Sequence, residues 1–181
     1  MVSRKQIRYV IDCASLNRYF WFSLPDGARN FDSRRADAIA IHGQQVIDDS
    51  RRVFEELLET EKIISHTEVW EEIKNARCTP WTRWALQKRR LFKNYKSGQM
   101  LTIYEMSEED SEFLAQEKPG RNKHADPWLL STAKDAEAIL ITDDGYLREV
   151  AQKYGVETIS FWDLAETEGR INPPLPTLFD A

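Results

Sequence analysis

Short runs of β-branched and aliphatic residues, separated by longer segments with helical periodicity, dominate the pattern of this 181-residue chain. The clearest runs are residues 7–11, 62–64, 138–141 and 156–159. Strands that alternate with helices in this way predict a parallel sheet with helices on both faces. We therefore expect an α/β protein with three α/β/α layers around a central parallel sheet. Because ligands bind beyond the carboxyl ends of the strands in such sheets, the residues that follow each run are the first candidates for a functional site.

Acidic residues occupy several of these positions. Asp12 directly follows the first run, and Asp143 and Asp144 follow closely after residues 138–141. Asp126 lies where a helix of small and apolar residues should begin. Taken singly, each of these acids fits a helix cap or a turn, which is the commonest role of Asp at such positions. Their joint arrangement at one edge of a sheet is what favours a functional interpretation.

A helix that begins near His66 carries two more acids, Glu68 and Glu72, one turn apart on the same face. Carboxylates that are brought together repel each other unless a cation neutralises them. Oxygen-rich clusters suit Mg²⁺ and Mn²⁺, and these ions promote phosphodiester hydrolysis by activating a bound water. The acids therefore predict a Mg²⁺ or Mn²⁺ site. Spacing alone leaves open the choice between Glu68 and Glu72 and the choice within the Asp143–Asp144 pair.

Length and composition predict one globular domain over residues 1–168, followed by an extended Pro-rich tail at 169–181. Hydrophobic residues make up 41% of the chain and charged residues 30%, which is ordinary for a globular protein. One or two amphipathic helices are expected between residues 33 and 60, with a break at Gly43.

Charge and hydropathy exclude several classes of protein. A net charge of −5 argues against a general nucleic-acid coat protein, although an enzyme that acts on nucleic acid remains compatible with it. No apolar run approaches the roughly 20 residues that a membrane helix needs, and the first run resembles a buried strand more than a signal peptide. Cys13 and Cys78 have no CxxC spacing. We therefore expect reduced thiols, a cytoplasmic location and no membrane partner.

Residues 79–96 form a basic segment interleaved with aromatic rings. Its cations, together with Lys123 in a later loop, are candidates to hold the phosphates of RNA. The candidates for this role are Arg83, Lys88, Arg89, Arg90 and Lys123. The alternative is that Trp81 and Trp84 are core contacts and that the cations form a solvated helix face. The sequence does not decide between these interpretations.

Four stretches in order resemble the motifs of PIN-domain nucleases. The first is VIDCASL at 10–16, a strand that ends in Asp, and the second is the helix VWEEI at 69–73. The third is ADPWLLSTA at 125–133, and the fourth is ITDD at 141–144. By this resemblance the catalytic and metal-binding residues are Asp12, Glu72, Asp126 and Asp144, with Glu68 and Asp143 in reserve. The polar motif residues Ser15 and Thr142 become candidates for contact with the substrate.

The resemblance implies a PIN-like fold and Mg²⁺- or Mn²⁺-dependent endonuclease cleavage of RNA, often by the toxin of a bacterial toxin–antitoxin pair. An RNA substrate, an antitoxin protein and a homodimer are the partners it suggests. The chain departs from compact members of the family in its helical insertions at about 33–60 and 76–123. Its fourth motif also lacks a second downstream Asp, because Tyr146 and Leu147 follow Gly145.

Two other functions fit parts of the pattern. One is a PIN-like module that binds RNA or protein without turnover, for example by docking a partner through the Trp-rich insertion. The other is a phosphatase of the haloacid-dehalogenase type, which places Asp-x-Asp after its first strand. The sequence Asp12-Cys13-Ala14 lacks the second Asp, which disfavours the phosphatase.

Overall fold

A five-stranded parallel sheet forms the centre of the protein, and its strands run in the order β3-β2-β1-β4-β5. The computed structural model describes residues 7–24, 31–76, 78–94 and 125–170. The strands are β1 (Tyr9–Ile11), β2 (Ile63–His66), β3 (Phe92–Lys93), β4 (Ile139–Ile141) and β5 (Thr158–Ile159). The predictions for residues 95–124, including Lys123, and for most of the tail lie outside the described residues.

Helices connect the strands and cover the sheet in an α/β/α arrangement, so the expected fold class is confirmed. The early helices are α1 (Cys13–Trp21), α2 (Phe31–His42), α3 (Gln44–Glu59), α4 (Thr67–Asn75) and α5 (Thr79–Gln87). The later ones are α6 (Ala125–Ala136), α7 (Gly145–Lys153) and α8 (Leu164–Thr167). Short 3-10 turns at Arg89–Leu91 and Phe161–Asp163 precede β3 and α8. Within these described ranges, no helix has the length and apolar character required to cross a membrane.

The central strand β1 explains why the first apolar run has no polar alternation. Tyr9, Val10 and Ile11 are all 0% exposed, because β1 pairs with β2 on one side and with β4 on the other. A strand that is buried on both faces has to be apolar throughout. Since all the strands are parallel, the residues that follow β1, β2 and β4 come to one edge of the sheet.

The predicted helical region breaks at Gly43, as expected. Gly43 has φ of +79° and separates α2 from α3. This backbone conformation is readily adopted by glycine but costs other residues energy. Beyond the break, α3 buries one apolar face, including Ile47, Phe54 and Leu57.

Two local predictions are wrong in detail. Residues 16–22 predict a short helix that starts near Leu16, with Ser15 or Asn17 near its cap. In the structure this first helix begins at Cys13 and is capped by Asp12. The basic helix expected after Thr79 ends at Gln87. The chain then turns and forms β3 by pairing with the end of β2, a long-range contact that no local pattern specifies.

Tryptophans of α5 pack against α1. The rings of Phe20 and Trp81 are 5.8 Å apart, and those of Tyr19 and Trp84 are 5.5 Å apart. Trp81 is only 7% exposed. These two tryptophans are therefore core contacts, as the alternative interpretation of the basic segment proposed.

Candidate acidic site

Asp12 lies at the carboxyl end of β1 and is almost fully buried, with 3% exposure. Its Oδ1 accepts the backbone N–H of Ser15 at 2.7 Å, and its Oδ2 accepts the hydroxyl of Thr142 at 2.5 Å. Burial raises the pKa of Asp12 to about 6, although these hydrogen bonds work in the opposite direction. The carboxyl group is thus held in one orientation and is costly to ionise.

The two predicted substrate contacts, Ser15 and Thr142, lie beside Asp12 and are both 0% exposed. The Thr142 hydroxyl donates to Asp12 and accepts the backbone N–H of Asp144 at 3.1 Å. In this structure both residues position Asp12, and neither presents a surface to a substrate.

Glu72 projects from α4 toward the start of α6. Its Oε1 accepts the backbone N–H of Ala125 at 3.4 Å, and the thiol of Cys13 donates to the same carboxylate. The pKa of Glu72 is raised to about 7, mainly by burial and in addition by the charges of Asp12 and Glu68. Glu68 lies one turn earlier and, like Glu72, is partly buried. The structure therefore brings Glu72 close to Asp12, as the resemblance implied.

The thiol of Cys13 shows where three of the acids meet. Burial raises the pKa of Cys13 well above its ordinary value, and the charges of Glu72, Asp12 and Asp126 add to the effect. These acids come from α4, the end of β1 and the first turn of α6. A thiol in this environment stays protonated, so it is unsuited to act as a nucleophile. Cys13 instead lies close to acids that come from three distant segments.

The Asp143–Asp144 pair divides between two roles. Asp144 is the N-cap of α7, and its Oδ1 accepts the backbone N–H groups of Tyr146 at 2.9 Å and Leu147 at 3.2 Å. The carboxylate of Asp143 accepts the Ser160 hydroxyl at 2.7 Å. Its charge also raises the pKa of Asp12. Asp143 is therefore an electrostatic neighbour of Asp12, whereas Asp144 has a clear structural task.

Three of the predicted RNA-binding cations lie at the other end of the sheet. Lys88, Arg89 and Arg90 border a depression together with Glu61, which precedes β2, and Arg90 lies 3.9 Å from that carboxylate. The acids follow the carboxyl ends of the strands. The cations and the acids therefore lie at opposite ends of β2, whose four residues span roughly 13 Å at 3.3 Å per residue.

Arg83 is exposed on α5 and lines a separate depression with Thr79, Thr82 and Leu86, which includes none of the acids. Lys93 does reach the correct end, because it pairs in register with His66 at the end of β2. The basic segment therefore places its main group of cations away from the acids.

Sequence reasoning missed three other arginines, which lie on the α1, α2 and α7 side of the acids: Arg18, Arg34 and Arg148. Arg148 follows the cap of α7 by one helical turn, so a helical projection from Asp144 would have found it. Arg18 and Arg34 meet only because α1 packs against α2. No local signal in the sequence specifies that contact.

The donor set fits a hard divalent cation. All three of these acids offer carboxylate oxygens, and burial together with neighbouring acidic charge raises the pKa values of Asp12 and Glu72. Within the ranges that the structure describes, no three acidic, His or Cys side chains are close enough to form a ready-made metal-binding group.

A family model described as "Domain of unknown function (DUF4411)" matches residues 50–169, about two thirds of the chain. Comparison with curated proteins and with solved structures gives no match. The matched region contains Glu72, Asp126 and the Asp143–Asp144 pair, and it leaves out Asp12.

Proposed function

The chain belongs to the DUF4411 family, and because the function of that domain is unknown, we propose an activity from the site itself. The activity is Mg²⁺- or Mn²⁺-dependent cleavage of RNA by a PIN-type endoribonuclease. Asp12, Glu72 and Asp126 would hold the metal, together with one acid of the Asp143–Asp144 pair.

One observation carries this proposal: at the carboxyl edge of a parallel sheet, acids from three separate segments lie near enough to the Cys13 thiol for their charges to raise its pKa. Burying Asp12 and Glu72 so close together costs stability, because each carboxylate loses hydration and repels the other. Perturbed carboxyl groups of this kind concentrate at functional sites. The supporting observation from the sequence is that the acids follow the order of the PIN motifs.

The chain's own residues orient the acids for this work. Ser15 and Thr142 bind different oxygens of Asp12, so the plane of its carboxyl group is fixed. Cys13 and the Ala125 N–H fix Glu72 in the same way. Mg²⁺ or Mn²⁺, when bound, supplies an activated water and neutralises charge that develops on the phosphate. No covalent intermediate is needed, in agreement with a Cys13 thiol that stays protonated.

Cleavage of a single-stranded RNA in Mn²⁺ tests the proposal. We expect Asp12→Asn and Glu72→Gln to lose at least 100-fold in rate, and EDTA to abolish cleavage by the wild type. Asp48→Asn is the matched control, because Asp48 is exposed on α3. Equal rates for wild type and Asp12→Asn would reject the assignment. Calorimetry that detects neither Mg²⁺ nor Mn²⁺ binding would favour the non-catalytic binding module instead.

The fourth acid is tested by a pair of conservative variants. Asp144→Asn keeps an oxygen for the Tyr146 and Leu147 N–H groups, since Asn is as good an N-cap as Asp. It therefore removes the charge and preserves the start of α7. If Asp144 is the metal-binding acid, Asp144→Asn loses activity at unchanged thermal stability and Asp143→Asn does not. The opposite result would assign the role to Asp143.

We place this activity in the cytoplasm, where Cys13 and Cys78, both free cysteines, would stay reduced. An antitoxin partner and a homodimer stay predictions of the resemblance. Co-purification of the chain with the product of an adjacent small reading frame would support the toxin assignment.

A further inference from the structure

A cleft of about 640 Å³ opens beside Asp143, at the carboxyl ends of β4 and β5. Its volume falls within the roughly 300–1,000 Å³ that small-ligand sites occupy. Its wall includes Arg18 on α1, Arg34 on α2 and Arg148 on α7, and we call it the arginine cleft. Three cations from three separate helices thus face one space next to the acidic site.

Two of these cations, Arg34 and Arg148, form no ion pair with a carboxylate of the described residues. Arg148 donates to the backbone carbonyl of Thr142 at 2.9 Å, which is a neutral acceptor. Arg34 lies over the ring of Trp21, with its guanidinium carbon 5.5 Å from the ring centroid. Among the described residues, neither arginine has a carboxylate within ion-pair distance, although Asp37 also lines the cleft. Both side chains are exposed, so an incoming anion can reach them.

A buried tryptophan holds two of the arginines in place. Trp21 is 5% exposed, and the guanidinium carbon of Arg18 lies 4.3 Å from its ring centroid, on the same indole that Arg34 approaches. Arg18 also approaches the Asp143 carboxylate at 3.4 Å. Guanidinium groups stacked on an aromatic ring lose less freedom when they bind a phosphate. The guanidinium groups of Arg18 and Arg34 are therefore preorganised to bind an anion in the cleft.

Asp143 and Thr142 connect the cleft to the acidic site. Asp143 lines the cleft, and its charge raises the pKa of Asp12. Arg148 binds the carbonyl of Thr142, whose hydroxyl binds the Asp12 carboxylate. Asp143 and Thr142 therefore each link an anion bound in the cleft to Asp12 of the acidic site. Lys88, Arg89 and Arg90, in contrast, lie at the opposite end of the sheet.

We propose that the arginine cleft binds backbone phosphates of a single RNA strand next to the phosphate that is cleaved. Arg34 and Arg148 make the phosphate contacts, and Arg18 positions Asp143 at the boundary between the cleft and the acids. This inference rests on the proposed endoribonuclease function for its choice of ligand.

Binding is measured separately from cleavage, so that the two proposals can fail separately. The probe is a fluorescein-labelled 12-nucleotide single-stranded RNA, and its anisotropy is followed in the Asp12→Asn background, where no cleavage is expected. Adding Arg34→Gln and Arg148→Gln should raise Kd at least tenfold at 100 mM salt. The slope of log K against log salt should fall by roughly 1.4, at about 0.7 for each phosphate contact on a single strand.

The matched control removes the same two charges elsewhere. Lys134→Gln with Arg170→Gln changes exposed cations that do not line the cleft, since Lys134 lies beside the start of β4 and Arg170 pairs with Glu56 of α3. We expect less than a twofold change in Kd. Arg34→Lys with Arg148→Lys keeps the charge and should recover part of the affinity. In the cleaving protein, the double Gln variant should raise KM more than it lowers kcat.

Three results would overturn the inference: the Asp12→Asn protein fails to bind the RNA, the double Gln variant matches the control pair, or only Arg89→Gln with Arg90→Gln weakens binding. If the wild type does not cleave RNA and yet binding depends on Arg34 and Arg148, the proposed function fails and the cleft assignment stands.

Discussion

Replacing Asp12 with Asn should stabilise the metal-free protein at high pH. The pKa of Asp12 rises from an ordinary 3.8 to about 6 because the carboxyl group is buried. The folded protein therefore holds a proton at pH values where the unfolded chain has lost it. With more protons bound in the folded state, the free energy of unfolding falls as pH rises through this window. Asn carries no such charge, so this loss disappears in the variant.

The size of the effect follows from the two pKa values. Each pKa unit corresponds to about 1.4 kcal/mol, so the difference between about 6 and 3.8 corresponds to about 3 kcal/mol of unfolding free energy in total. Of this total, about 1.4 kcal/mol is lost between pH 5 and pH 8. Asn offers one carbonyl oxygen where Asp12 uses two acceptors, so the Ser15 or the Thr142 hydrogen bond weakens, which costs about 1 kcal/mol at every pH. We therefore expect Asp12→Asn to be more stable than wild type by about 2 kcal/mol at pH 8. The stability gap should narrow by about 1.4 kcal/mol at pH 5.

Urea unfolding in EDTA at pH 5 and pH 8 measures this gap, with the exposed-site variant Asp48→Asn as the control. A gap of equal size at both pH values would refute the argument, because it would show that Asp12 does not carry a costly buried charge. Adding Mn²⁺ at pH 8 should reverse the order of stability. The wild type alone would gain binding energy, about 2.7 kcal/mol when Mn²⁺ exceeds its Kd by 100-fold.

Other substitutions test other parts of the fold. Burial lowers the pKa of His66 from 6.5 to about 4, so the contribution of neutral His66 to stability is present above pH 6.5 and is lost as pH falls toward 4. In urea titrations, His66→Asn should therefore reduce the loss of unfolding free energy between pH 6.5 and 4.5 by about 1 to 2 kcal/mol. An unchanged loss would contradict this. Tyr9→Phe removes a 2.5 Å hydrogen bond to Glu168 and should cost about 1–2 kcal/mol in urea unfolding, whereas no cost would mean that the bond adds nothing net. Gly43 has a positive φ, so Gly43→Ala should lower the free energy of unfolding by about 1 kcal/mol. Gly145 does not have a positive φ, so Gly145→Ala should cause no such loss. Equal effects of the two substitutions would argue against backbone strain at Gly43.

The parts of the fold that sequence could predict are those fixed by local chemistry. A run that is apolar at every position has to be buried on both faces, which identifies β1, and a lone glycine in a long helical pattern marks the break at Gly43. Because the strands are parallel, this local information also places Asp12 and the acids after β4 at one edge. Connectivity also brings the starts of α4 and α6 to this edge, whereas the choice of Glu72 over Glu68 came from the resemblance to PIN-domain nucleases.

The cations could not be placed in this way, because their positions depend on contacts between distant segments. Strand β3 has two residues and exists only through pairing with Ser65 and His66. That pairing turns the chain after Lys88, so that Arg89 and Arg90 precede β3 and come to the amino edge. A basic segment in the sequence identifies candidate cations, but only the order of the strands in the sheet shows which of them lie near the acids.

The Asp143–Asp144 pair shows how one local rule can be correct and still leave function undecided. The residue just before a helix is its cap, and Gly145 begins α7, so Asp144 is the expected cap and the structure agrees. The resemblance selects the same residue as a metal-binding acid, and a cap uses its carboxylate for backbone N–H groups. In Asp144 both capping N–H groups donate to Oδ1, so the two roles share one carboxylate, whereas Asp143 interacts with Asp12 without capping a helix. Since Asn preserves the cap and removes the charge, Asp144→Asn separates the two roles at a position where sequence spacing treats adjacent acids alike.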